Sequence, residues 1–134
     1  MNRGEEHKAS HRREGKSVIN GIPAGQVYIA CGYTDMRRSI DGLAAMVQQA
    51  FKLDPYARNM YLFCGKRSDR IKALYYEGDG FLLLYKRLEQ GRFQWPRRAS
   101  EARMITERQL RWLLEGLSIE QPKALVEVPA KRMI

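Results

Sequence analysis

Histidine and cysteine are scarce in this chain of 134 residues, with two of each. Both histidines, His7 and His11, lie near the start, so the rest of the chain has no imidazole for acid–base or metal chemistry. The two would share one face of a helix, but no further ligand set surrounds them, and a solvated tail is the simpler reading. Cys31 and Cys64 stand apart in apolar, strand-like runs. Such a pair makes neither a disulfide framework nor a zinc site, and buried, reduced thiols are expected. Long apolar runs are missing as well: nothing reaches the roughly 18 residues that a membrane span needs. The first residues carry charge with no apolar stretch behind it, so no secretory leader is expected, and the cytoplasm is the expected setting. Acidic residues number 15 against 24 lysines and arginines, a net charge of +9. That surplus favours polyanionic partners, nucleic acid before an acidic membrane surface.

Catalytic signatures are also wanting. No GxSxG, HExxH, P-loop or CxxC pattern occurs. Paired carboxylates holding metal ions would cleave or join phosphodiesters, and Asp35, Asp41, Asp69 and Asp79 are the spare ones. Asp35 reads better as a helix cap, and Asp69 and Asp79 as turn residues. Asp41 falls off the face that Asp35 would occupy. No catalytic residue, metal or cofactor is therefore expected, and the chain reads as a binding protein.

What is present is enough apolar residue, 44% of the chain, to fill the core of one domain. Residues 1–20 are polar and of mixed charge and read as a disordered basic arm. Residues 21–120 read as a single α+β domain and residues 121–134 as a loosely ordered tail. "QVYIAC" (26–31) is the first expected strand. From Met36 the period lengthens: Met36, Ile40, Leu43, Ala44, Val47 and Phe51 fall mostly three or four apart, one face of a helix. Thr34 or Asp35 would cap it, and Pro55 would end it. Gly42 inside this helix costs about 1 kcal/mol against alanine, which a close approach by another backbone would explain. "NMYLFC" (59–64), "RIKALYYE" (70–77), "FLLLYKRLE" (81–89) and "RFQWP" (92–96) read as further strands. "TERQLRWLLEGL" reads as a C-terminal helix with a Thr106–Gln109 capping box and a Leu110, Leu113, Leu114, Leu117 stripe. The short turns between strands predict an antiparallel β-meander of about five strands, with one helix after the first strand and one at the C-terminus.

The cations are unevenly placed. Residues 66–103 hold ten basic and five acidic residues, more than half the surplus. Lys66, Arg67 and Arg70 flank one turn, with Lys72 just beyond, and Lys86, Arg87 and Arg92 flank the turn two strands on. Alternate turns of a meander lie at one end of the sheet, so these should converge, while the "EGDG" turn makes the other end acidic. Arg97 and Arg98 follow closely. Neutralised phosphates release counterions, which makes such a rim suited to DNA. Trp95 and the tyrosines would stack on unpaired bases, unless Trp95 plugs the core at the sheet edge. Arg37 would join the rim or pair with Asp41 one helical turn on, the second being favoured.

"YTDMRRSIDGLAAMV", "FCGKRSDRIKALYYEGDGFLLLYKRLEQGRFQWP" and "ITERQLRWLLEGL" together resemble the accessory protein called TnpB, or the second-open-reading-frame protein, of the insertion-sequence sixty-six family of bacterial transposable elements. The likeness runs from about Ile22 to Glu120; Tyr75 and Tyr76 stand where the family often has tryptophan. The resemblance implies a helper in DNA transposition that works beside a separate transposase carrying the cutting carboxylates. With it, Lys66, Arg67, Arg70, Lys72, Lys86, Arg87, Arg92, Trp95, Arg97 and Arg98 become the expected contacts to DNA at the element's ends. Two other readings stay open: an adaptor that docks the transposase or a second copy of itself without touching nucleic acid, and an RNA-binding regulator.

Overall fold

A computed structural model describes residues 17–98 and 101–126. Five strands form one sheet: β1 (Val27–Ala30), β2 (Met60–Cys64), β3 (Arg70–Tyr76), β4 (Phe81–Arg87) and β5 (Ala102–Ile105). Their spatial order is β4-β3-β2-β1-β5. The class is α+β as the sequence predicts, but the sheet is mixed and not a pure antiparallel meander. β1 runs parallel to β2 and antiparallel to β5. The cause is the helix between β1 and β2: a parallel neighbour requires a crossover, and a helix provides one.

That helix, α1 (Ile40–Ala45), is shorter than its periodic stripe and continues as a π-helical turn over Met46–Ala50. Ser39 occupies the N-cap and makes no side-chain cap bond, so neither Thr34 nor Asp35 caps the helix. Thr34 is buried instead, its N–H donating to the Cys64 carbonyl at 2.8 Å beyond the end of β1. Gly42 meets no foreign backbone; a Cβ there would touch the Arg38 side chain at 3.4 Å.

β2 is buried along its whole length because both faces of the sheet are covered. Tyr61 and Phe63 join Leu74, Leu43 and Val47 under α1. Met60, Leu62 and Cys64 join Ile29, Ile71, Leu110 and Leu113 under the C-terminal helix α2 (Glu107–Leu114). Each fully buried aliphatic or aromatic side chain contributes about 1.5–3 kcal/mol. The Thr106–Gln109 capping box forms as expected, and Gly116, at φ 87°, ends the helix in the left-handed conformation. Leu117 lies beyond the helix and is exposed.

"RFQWP" is no strand. After β4 the chain becomes an irregular strap, residues 88–98, crossing the end of the sheet from the β4 edge toward β5. Its backbone bonds go to turns: Leu88 N–H to the Asp69 carbonyl and Phe93 N–H to the Ser68 carbonyl, both 2.7 Å, and Gly32 N–H to the Pro96 carbonyl at 2.8 Å. Phe93 and Trp95 plug the α2-side core. The fifth strand is instead Ala102–Ile105, a stretch with no strong period in the sequence.

Residues 17–20, expected in the arm, are ordered. Ser17 caps a 3-10 turn over Val18–Gly21, and Ile19 packs into the core. The rest of the expected arm, and residues 127–134 of the expected tail, lie outside the described residues. Among the described residues, no helix is long and apolar enough to cross a membrane.

Candidate nucleic-acid interface

The crowded turn between β2 and β3 is built by an arginine. Ser68 holds φ 65°, a left-handed conformation costly for a side chain with a Cβ. The Arg97 guanidinium, arriving on the strap, donates to the Gly65 carbonyl at 3.1 Å, to the Lys66 carbonyl at 3.3 Å and to Ser68 Oγ. Gly65 must be small, since a Cβ would stand 2.8 Å from Met36 Cγ. The clasp turns Lys66 and Arg67 out into solvent. Tyr33 is 59% exposed beside them, its ring centroid 4.9 Å from the Arg97 guanidinium and 5.9 Å from Lys66 Nζ.

The strands then extend the charge along the α1 face. Arg70 lies directly opposite Arg87, and Lys72 opposite Tyr85, in the antiparallel β3–β4 ladder. Residues opposed in this way share a sheet face. Lys72 Nζ donates to the Arg38 carbonyl at 2.7 Å and sits 5.3 Å over the Tyr85 ring. Arg70 Nε is 3.6 Å from Asp69 Oδ1, too far for a hydrogen bond, so the pair only partly offsets the charge. Lys66, Arg67 and Arg70 line an open cleft of about 480 Å³ with Tyr33, Asp35 and Asp69. The structure thus brings together Lys66, Arg67, Arg70, Lys72 and Arg87.

The other expected contacts do not join this group. Lys86 is opposite Ile71 and lies on the α2 face, because neighbours along a strand point to opposite sides. Arg92 is exposed on the strap, its carbonyl 3.8 Å from where a Gly116 Cβ would stand. Arg98 lines a separate recess with Arg103 and Glu120, which pair with each other at 2.6 Å. Arg97 is engaged by the turn it clasps. Trp95 is 6% exposed and its indole N–H donates to the Ala30 carbonyl at 2.8 Å. Its ring belongs to the core, so the base-stacking role does not fit it. Tyr33, one of the tyrosines expected alongside Trp95 to stack on bases, is the exposed aromatic at the cleft.

Arg37 pairs with Asp35 at 2.7 Å and not with Asp41. The guanidinium holds the Asp35 carboxyl well below the usual carboxylate range. Asp35 is thereby neutralised locally, and among the described residues no cluster of three or more His, Cys, Asp or Glu side chains could hold a metal ion. Both cysteines are free thiols; burial raises the pKa of each, that of Cys64 to about 11.

The sequence profile of a family described as "IS66 Orf2 like protein" matches residues 25–124. Two proteins of Sinorhizobium fredii are also similar. One, described as uncharacterized protein y4hO, is 39% identical over 105 residues, covering 76% of this chain and 91% of its own length. The other, uncharacterized protein y4jC, is 33% identical over 107 residues, covering 80% of this chain and 89% of its own. No solved structure matches the chain.

Proposed function

Because the chain belongs to the IS66 Orf2-like family, which ties it to the transposition of an insertion element, we propose that it is a non-catalytic accessory protein. In this reading it holds DNA against the α1 face of its sheet while a separate transposase performs the chemistry. One observation carries the proposal. Arg70 and Arg87 are directly opposed, with Lys72 on the same face and Lys66 and Arg67 at the adjoining turn. Like charges opposed across a ladder destabilise a sheet, and a phosphate backbone removes that cost by lying between them. Tyr33 adds an exposed ring at the mouth of the cleft on which an unpaired base can stack.

The test is a salt titration of binding to duplex DNA, single-stranded DNA and RNA. Neutralising a few phosphates predicts that log K falls against log salt with a slope of about −3 to −5 on duplex. Preference for RNA would favour the regulator. No binding to any of the three at low salt, with retained capture of the transposase, would favour the adaptor.

A further inference from the structure

β4 is an outer strand, with β3 on one side and, among the described residues, no strand on the other. Backbone alternation determines what its free side offers. Leu88 N–H donates to the Asp69 carbonyl at 2.7 Å and Glu77 N–H to the Gly80 carbonyl at 2.8 Å. These fix the ladder parity: Leu82, Leu84 and Lys86 exchange bonds with β3, while Phe81, Leu83, Tyr85 and Arg87 direct their N–H and C=O groups outward. Neither proline nor a register break interrupts the strand. Such an edge is an open template for another strand.

Charge selects which strand. One end of β4 carries Lys86 and Arg87; the other enters the turn holding Glu77 and Asp79, where the Arg58 guanidinium packs against Gly78. A parallel neighbour of the same kind would set cations beside cations. An antiparallel one brings unlike ends together.

We propose that β4 pairs antiparallel with β4 of a second copy of this chain, about a two-fold axis at Leu84. In that register Phe81 of one copy lies opposite Arg87 of the other, and Leu83 opposite Tyr85, all at outward-facing, hydrogen-bonding positions. Arg87 of each copy then lies beside the acidic turn, Glu77 and Asp79, that leads into Phe81 of the other. The two sheets become one continuous sheet, and the inference stands whether or not the chain binds nucleic acid.

Sedimentation equilibrium of the nucleic-acid-free full chain is expected to give twice the chain mass. Tyr85→Pro removes an N–H that the single chain does not use and places a ring on the edge. It is expected to give the single-chain mass with the far-UV circular dichroism of the folded parent, and a melting temperature lowered by the loss of association. Leu84→Cys tests the axis without relying on that variant: opposed non-hydrogen-bonded residues have Cα atoms about 4.5 Å apart, within disulfide reach. Mild oxidation should crosslink Leu84→Cys, and not Leu82→Cys or the parent chain with Cys31 and Cys64. A single-chain mass at every concentration overturns the proposal. So does a dimer that Tyr85→Pro leaves intact and that Leu84→Cys does not crosslink. If Tyr85→Pro fails to fold, the crosslink alone decides.

Discussion

Arg70 and Arg87 face each other across the β3–β4 ladder, and the nearest acid, Asp69, approaches Arg70 only to 3.6 Å. Two guanidinium groups at opposed positions are a cost to the isolated fold and an asset to anion binding. That opposition of effects is open to measurement.

In the single-chain Tyr85→Pro background, replacing Arg87 by threonine, a good strand former, should raise stability by about 0.2–1 kcal/mol in urea unfolding, since it removes the opposed like charge. The same variant should weaken duplex binding and make the salt slope shallower by about 1. A loss of both stability and affinity would mean that Arg87 is a structural residue.

Lys86 adjoins Arg87 in sequence but shares its face with Ile71. Lys86→Ala should therefore lower DNA affinity by less than Arg87→Ala does, under identical salt. Equal losses in a fluorescence-anisotropy titration would show that net charge alone matters and that the α1 face has no special part.

Arg97 holds the turn through the carbonyls of Gly65 and Lys66. Arg97→Ala should destabilise the fold by about 1.5–3 kcal/mol, the range for hydrogen bonds to a charged group. Arg97→Lys should recover little of it, because an ammonium lacks the planar fork of donors. Near-native urea midpoints for both would remove the clasp from the account.

The Cys64 thiol is raised from its ordinary 9.0 to about 11 by burial. The folded state thus prefers the neutral thiol. Its contribution is fully present below pH 9 and is lost as pH rises through about 11. Thermal melts from pH 8 to 11 should show a steeper decline for the parent than for Cys64→Ala. At pH 8 iodoacetamide should label half-buried Cys31 before Cys64.

Much of the fold is legible in local pattern. Tyr61 and Phe63 alternating with Leu62 mark a strand covered on both sides, and β2 is that strand. Thr106 and Gln109 mark a helix start through bonds that close within one turn. The candidate site is less legible. Ten residues qualified by charge or aromaticity, yet Trp95 fills the core and half-buried Arg97 clasps a turn, each with the same chemistry that would suit a surface contact. The opposite faces of Lys86 and Arg87 follow from the period of two once the strand is accepted, so rim membership was partly readable.

Sequence alone settled the features whose interactions lie within a few residues: four of the strands, the capped C-terminal helix, and the concentration of cations around two turns. Tertiary structure decided what depends on contacts between distant segments. Val27–Ala30 lies between β2 and β5, a choice made by the crossover through α1 and by pairing with Ala102–Ile105 far along the chain. The strap then determined which arginines turn inward and which meet across a ladder, because a cation's role is set by the groups folding places beside it.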